Sequence, residues 1–137
     1  MSQWTKIFIG VGSLLFVAAL ILLIMILQAD SSACKNTVEK EYISPDNTLK
    51  AVVFERNCGG EKFSTQVSIV GSFDSLGTDA GNILILEGRA MQVAPSIKWE
   101  RSNELVVGRS LDGSEFLAQR RWLGDKEVMV KYQAVKK

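Results

Sequence analysis

The sequence contains no histidine among its 137 residues. Histidine is the side chain that most often serves as a general base or a metal ligand, and it completes the Ser-His and Cys-His pairs that activate nucleophiles. Its absence removes the commonest catalytic arrangements at once. We therefore expect a protein that is not an enzyme, with no catalytic residue, no metal site and no cofactor.

The sequence also lacks an excess of either charge. Sixteen basic and fifteen acidic residues give a formal net charge of +1. Lys6 is the only charged residue before position 28, so the remaining 110 residues carry fifteen charges of each sign. Nucleic acids and anionic lipid surfaces are bound through clustered positive charge. We therefore expect no nucleic-acid partner, and 110 residues suffice for one small domain.

One long apolar segment is present, residues 7–27, which contains no charged residue. As a helix, these 21 residues would span about 32 Å, which matches the hydrocarbon core of a bilayer. Trp4 and Lys6 lie just before it, where aromatic and basic side chains favour the headgroup region. The segment predicts a transmembrane helix over residues 7–27 that binds the lipid bilayer, preceded by a short flank, residues 1–6.

Two other interpretations of the apolar segment stay open. Residues 31–33 are small, as a signal peptidase requires, and Cys34 after them is compatible with a lipoprotein signal. However, the apolar region of a signal peptide usually has only about 7–15 residues, and Ser31 stands where a lipoprotein signal has an aliphatic residue. The sequence therefore favours an uncleaved anchor.

Cys34 and Cys58 are the only cysteines in the chain. A single pair beside a membrane segment predicts a disulfide in an oxidising compartment. Lys and Arg on the two sides of the helix do not decide its orientation, so the cysteine pair decides it. We expect the C-terminal domain to lie on the extracytoplasmic side of the membrane. The alternative is two unrelated thiols in a cytoplasmic domain.

After Cys34 the sequence changes to short β-rich segments separated by turn residues, which predicts an all-β domain, an antiparallel meander or a sandwich. The predicted strands are 38–43, 49–56, 65–70, 83–86, 97–101, 105–109, 116–122 and 128–134. We assign residues 28–36 to a juxtamembrane tether and residues 37–137 to the β domain. Residues 71–81, rich in Gly, Ser and Asp, are predicted to form a loop.

Alternation of apolar and polar residues predicts which strand faces are buried. Along residues 128–133 every second residue is Val or Tyr, which is typical of a strand with one buried and one solvated face. Val67 and Ile69 alternate with Gln66 and Ser68 in the same way, so we expect Gln66 and Ser68 to face solvent. No segment outside the apolar one has a helical period, so a second helix is not expected.

Two polar clusters are candidates for function. Arg120, Arg121 and Trp122 combine residue types that are frequent at interaction hot spots, which makes them the candidate partner-binding residues. The sequence favours the other interpretation, a charged edge strand that discourages aggregation. The loop that contains Asp74, Asp79 and Asn82 offers oxygen ligands for Ca²⁺, but it lacks the ligand pattern of an EF-hand, so we expect a solvated turn.

Three segments resemble a family of small bacterial envelope proteins. Residues 44–54 read SPDNTLKAVVF, residues 57–59 read NCG and residues 64–69 read STQVSI. The family pattern is approximately S-P-D-G-x-x-K-A-V-V-F, then C-G, then S-T-Q-V-S-I, with a later G-N before an apolar strand and a Trp-containing strand. Gly81-Asn82 and Trp99 match the later parts.

The resemblance covers about residues 40–110. It implies a small lipoprotein or single-pass protein of the bacterial envelope, and it implies no activity. The chain departs from the pattern at Asn47, where the family has a turn glycine, and at Gly60-Glu61, where it has Ala-Thr. Asn also adopts positive φ, so we expect the turn at Asn47 to be kept. Any role of the loop after Cys58 in relatives does not transfer.

Together these observations predict a single-pass protein of the bacterial cytoplasmic membrane with its β domain in the periplasm or an equivalent envelope space. The leading hypothesis is a non-enzymatic module that binds an envelope protein or has a structural role. The alternative is an immunity or inhibitor protein that neutralises a periplasmic toxin or hydrolase. A small β domain held at the membrane suits both functions.

Overall fold

The computed structural model describes residues 2–29 and 34–136, and the chain divides into two compact units. The first unit contains the helix α1, Gln3–Ala29. Its segment Gln3–Leu27 is long and apolar enough to cross a membrane. The helix begins before and ends after the predicted segment 7–27. Residues 30–33, which belong to the predicted tether and to the possible cleavage site, lie outside the described residues.

The second unit consists, in the described residues 34–136, of nine strands and one short helix. Their bounds are β1 Lys35–Ile43, β2 Leu49–Asn57, β3 Ser64–Gly71, β4 Leu84–Glu87, α2 Ala90–Val93, β5 Ser96–Arg101, β6 Glu104–Gly108, β7 Leu117–Ala118, β8 Arg121–Leu123 and β9 Glu127–Tyr132. One sheet has the order β1-β2-β3-β4-β7, and the other has the order β5-β6-β9-β8. The predicted all-β domain after one helix is confirmed.

Apolar side chains of both sheets share one core, so the domain is a β-sandwich. The core residues are Leu49, Ala51, Val53, Val67, Ile69, Ile83, Leu84, Leu86, Ile97, Leu105, Val107, Val128 and Val130. Along β9 the valines are buried and the residues between them are exposed, as the alternation predicts. β1 and β5 are edge strands of the two sheets. The indole Nε1 of Trp99 donates a hydrogen bond to the Tyr42 carbonyl (2.8 Å), which links β5 to β1.

The strand predicted over 116–122 divides between the two sheets. We call residues 117–123 the corner segment, because β7 pairs with β4 in one sheet and β8 pairs with β9 in the other. The hydroxyl of Tyr132 lies at this corner and donates to the carbonyl of Gln119 (2.7 Å); burial raises the pKa of Tyr132 to about 12. Because the chain crosses between sheets here, β9 reaches β6 as a parallel neighbour in an otherwise antiparallel fold.

The outer face of the five-stranded sheet is covered by residues 72–83, the β3–β4 loop. Gly81 N–H donates to Gln66 Oε1 (2.6 Å), and Asn82 N–H donates to Ser68 Oγ (3.1 Å). Gln66 and Ser68 are therefore buried, and the prediction that they face solvent is wrong. Their polar atoms are buried without loss because the loop backbone satisfies them.

A short helix, α2, follows β4, although the sequence predicts no second helix. The backbone N–H of Ala90 donates to Glu55 Oε2 (2.9 Å) at the start of this helix. Arg89 Nε lies 3.3 Å from the same carboxylate oxygen. Because α2 has only four residues, it makes barely one turn, and a period of 3.6 residues cannot be detected over that length.

The turn between β1 and β2 keeps the expected geometry. Asn47 has φ of 58°, which lies in the left-handed region. Among non-glycine residues, Asn tolerates this region best because its short polar side chain bonds locally. The expected turn with a positive φ at Asn47 is present.

We expect the variant Asn47→Val to lower the free energy of unfolding by about 1–2 kcal/mol, because a β-branched residue is strained at positive φ. Asn47→Gly is the matched control, and it should change stability by less than about 1 kcal/mol. Denaturant unfolding of the full chain in detergent, followed by tryptophan fluorescence, measures both. Equal stability of the two variants would contradict the turn geometry.

Candidate functional site

The sandwich has two ends, which carry different features. The end with the β1–β2 turn, the start of the β3–β4 loop and the β8–β9 turn is called the turn end here. The opposite end carries Cys34, Cys58, α2 and residues 109–116, and it is called the disulfide end. Antiparallel pairing of β1, β2 and β3 separates the two ends by the length of these strands.

An ion pair joins the two sheets at the turn end. Asp46 Oδ2 accepts from Lys126 Nζ at 2.6 Å. Asp46 Oδ1 accepts from the hydroxyls of Ser44 and Thr48, at 2.7 and 2.8 Å. These hydrogen bonds hold the pKa of Asp46 well below its ordinary value. The bond from Lys126 has the largest effect, and those from the two hydroxyls have smaller ones. The β1–β2 turn of one sheet is thereby fixed against the β8–β9 turn of the other.

Beside this ion pair lies a pocket of about 530 Å³, which we call the turn-end pocket. Its apolar walls include Leu49, Ile69, Leu76 and Trp122. Its acidic residues are Asp74, Asp79 and Asp125. The pocket is open to solvent and its lining is of mixed polarity, and convergent polar groups of this kind give a binding site its specificity.

The charge of the turn-end pocket has one sign. Asp74, Asp79 and Asp125 form no ion pair with any residue in the described ranges 2–29 and 34–136. Among the described residues that line the pocket there is no lysine or arginine. Lys126, the residue after Asp125, forms an ion pair with Asp46. Carboxylates next to an indole ring favour a cationic group, which gains both Coulomb attraction and a cation–π contact.

Two large apolar side chains near the turn end are exposed. Phe73, the residue before Asp74, is 99% exposed, and Leu123 is 72% exposed on the face of β8 opposite to Trp122. Neither residue was singled out from the sequence. The available signal is a phenylalanine inside a loop of Gly, Ser and Asp, where no core packing explains an aromatic residue.

The structure separates the three residues predicted to bind a partner. Trp122 lines the turn-end pocket and packs partly against the core. Arg121 points to solvent and pairs with Glu127 (Nε to Oε1, 3.0 Å). Arg120 is exposed, and its carbonyl accepts a hydrogen bond from Val130 N–H (2.9 Å). β8 is an edge strand of its sheet.

Gly124 determines where the Trp122 ring can lie. A Cβ at position 124 would stand 2.0 Å from the nearest ring carbon of Trp122, closer than any real contact. Glycine therefore lets the ring lie across the backbone of the β8–β9 turn. This packing fixes the indole as a wall of the pocket.

The acidic loop considered for Ca²⁺ has a different arrangement. Asp74 and Asp79 both line the turn-end pocket. Asn82 is occupied elsewhere, because its side-chain amide bonds both the N–H (2.8 Å) and the carbonyl (2.9 Å) of Ile69. In the described part of the chain, no group of three or more Cys, Asp or Glu side chains is placed to hold a metal ion.

The predicted disulfide is present at the opposite end. The sulfur atoms of Cys34 and Cys58 are bonded at 2.08 Å. Lys35 pairs with Asn57 in the β1–β2 ladder, so the two cysteines occupy the next position of the same register. The disulfide therefore fastens the point where the chain enters the β domain to the end of β2.

No protein-family model, no curated protein and no solved structure matches this chain. The geometry of the two ends therefore carries the functional argument.

Proposed function

We propose that this protein is a single-pass membrane protein of the bacterial cell envelope, and that its β domain is a non-enzymatic module that binds another protein at the turn end. The observation that carries the proposal is the turn-end pocket of about 530 Å³, whose lining residues include Trp122 and three aspartates. The helix α1, which is long and apolar enough to span a bilayer, supports the membrane anchor. The disulfide supports an oxidising compartment.

The partner we propose presents a lysine or arginine side chain to the turn-end pocket. Asp74, Asp79 and Asp125 supply negative charge, and the Trp122 ring supplies a flat face for the cation. Phe73, the residue before Asp74, supplies exposed apolar area. Aromatic side chains, phenylalanine included, are enriched at protein interfaces.

The proposal is tested with a photo-crosslinking phenylalanine analogue in the full-length protein in native membranes. Position 73 is the test position at the turn end. Position 116 is the matched control, because Phe116 is also an exposed phenylalanine but lies at the disulfide end. We expect one protein to be crosslinked from position 73 and not from position 116. No protein product from position 73 would overturn the proposed binding surface.

The charge of the pocket is tested with the triple variant Asp74→Asn, Asp79→Asn and Asp125→Asn. Loss of three attractive charges should weaken binding of the captured protein at least tenfold, with a smaller dependence on salt. The matched control is Glu39→Gln, Glu61→Gln and Glu87→Gln, which removes three exposed carboxylates away from the turn end. Equal affinities of the two variants would contradict a cationic partner group.

The identity of the captured protein decides between the two functional classes. A subunit of an envelope complex supports a structural or adaptor module. A single toxin or hydrolase, inhibited in stoichiometric amounts by this protein, supports an immunity or inhibitor protein. Alkaline carbonate extraction of the membranes tests the anchor separately, since an integral protein stays with the lipid.

A further inference from the structure

We propose that the disulfide end of the β domain rests on the surface of the bilayer and places Phe116 and Met91 in its headgroup layer. This inference rests on the proposed function in one respect, that α1 spans a bilayer. Met91 is 91% exposed and Phe116 is 68% exposed. Val135, near the C-terminus, is exposed at the same end and lies beside Gly108. Several exposed apolar groups near one another form a surface that can be covered by another apolar phase.

The disulfide end is the end at which the chain from α1 enters the β domain. The chain enters the β domain at Cys34, which the disulfide joins to Cys58 at the disulfide end. α1 ends at Ala29, so five Cα–Cα steps separate it from Cys34. Even fully extended, this stretch reaches at most about 18 Å. A tether of this length keeps Cys34 within about 18 Å of the end of α1.

Phe116 belongs to the immediate surroundings of the disulfide. It lines a hollow of about 370 Å³ together with Cys58, Gly59, Lys62 and Phe63. The apolar stem of Lys62 can lie along the aromatic side chains while its ammonium group stays among the lipid phosphates.

Local contacts hold Phe116 and Met91 at the surface. Before Phe116, the Glu115 carboxylate accepts hydrogen bonds from the backbone N–H groups of Asp112 (3.2 Å) and Gly113 (3.0 Å) and thereby closes the loop 109–116. Before Met91, the guanidinium of Arg89 lies 3.8 Å from the centre of the Phe63 ring. These contacts order the backbone next to both apolar side chains, which lowers the conformational cost of their insertion.

The contact we propose is apolar and not electrostatic. The chain after the apolar segment carries fifteen basic and fifteen acidic residues, which gives no net attraction to anionic lipids. Partial burial of Phe and Met in the interface is driven by the hydrophobic effect. The contact should therefore persist at 1 M salt, where surface electrostatic attraction is screened over a few ångströms.

The test uses the full-length protein in phosphatidylcholine nanodiscs, with one fluorophore-labelled cysteine added at a time. Phe116→Cys and Met91→Cys report on the disulfide end, and Phe73→Cys is the matched control at the turn end. Peptide mapping without reduction verifies that Cys34 and Cys58 stay joined. We expect brominated lipid to quench the labels at positions 116 and 91 at least three times more than the label at 73. Iodide in the water phase should show the opposite order.

A longer tether distinguishes real contact from mere nearness. Ten Gly and Ser residues are inserted between Ala33 and Cys34, and the lipid quenching at position 116 is measured again at low and high salt. Persistent quenching supports the contact, and a fall to the level of position 73 overturns it. If the chain remains in the nanodisc while positions 116 and 73 are quenched equally, the inference fails and the anchor stands. A chain that carbonate extracts from the bilayer overturns both.

Discussion

Replacing both cysteines with serine, in the variant Cys34→Ser with Cys58→Ser, should lower the free energy of unfolding by about 3.5 kcal/mol. The disulfide closes a loop between positions 34 and 58, with a sequence separation of 24 residues. Without it, the unfolded chain gains the conformational freedom that this closure removes. A small domain has a total stability of about 5–15 kcal/mol, so the loss is a large fraction. Denaturant unfolding of the full chain in detergent measures it.

Reduction of the wild-type protein provides the control for this variant. A thiol reductant should shift the wild-type unfolding curve to that of the double variant, and it should leave the double variant unchanged. Each single variant should match the double variant, because each removes the same bond. Two thiols that react with an alkylating agent in the native, unreduced protein would contradict the disulfide and the extracytoplasmic location that it supports.

The substitution Phe54→Ala should lower the free energy of unfolding by about 3–5 kcal/mol. Phe54 has no exposed surface, although it lies on the outer face of the five-stranded sheet, between Val38 of β1 and Gln66 of β3. The β3–β4 loop covers this face, so removal of the ring leaves a cavity beneath the loop. The expected loss of stability equals that for a phenylalanine in a protein core, because both the transfer free energy of the ring and its packing contacts are lost.

Phe73→Ala is the matched control for Phe54→Ala. The same side chain is removed, but Phe73 is almost fully exposed and its loss should change stability by less than about 0.5 kcal/mol. Thermal or denaturant unfolding of both variants in the full chain makes the comparison. Equal and small effects would show that the β3–β4 loop does not cover the sheet in solution.

Features set by neighbouring residues could be predicted from the sequence. The apolar segment 7–27 predicted α1, because length and hydropathy are local properties. The alternation along β9 predicted its buried face, since a strand in a two-layer sandwich has one solvated side. The turn at Asn47 followed from the few residues that tolerate positive φ.

The outer face of β3 could not be predicted in this way. Gln66 and Ser68 alternate with Val67 and Ile69, and this pattern correctly gives the inner face. Their own burial depends on the backbone of Gly81, fifteen residues later in the sequence. A polar residue buried by a distant loop has the same local pattern as one exposed to water. Only the tertiary path of the chain distinguishes the two cases.

The candidate site was predicted only in part, for a geometric reason. Arg121 and Trp122 are adjacent in the sequence, but neighbouring residues of a strand point to opposite faces. Trp122 therefore turns toward the pocket while Arg121 pairs with Glu127 in solvent. The acidic residues of the pocket come from two separate loops. A cluster along the chain is thus a poor guide to a cluster in space.

The corner segment makes the two sheets mutually dependent. Gln119 N–H is bonded to Ile83 of one sheet (2.8 Å), and the carbonyl of Arg120 is bonded to Val130 of the other (2.9 Å). Neither sheet can open at this corner without breaking the pairing of the other. Subglobal unfolding requires a region that separates from the rest of the domain at low free energy. Because the corner segment is bonded to both sheets, neither sheet is such a region. We therefore expect the amide protons at the centre of both sheets to exchange with solvent through one shared opening event.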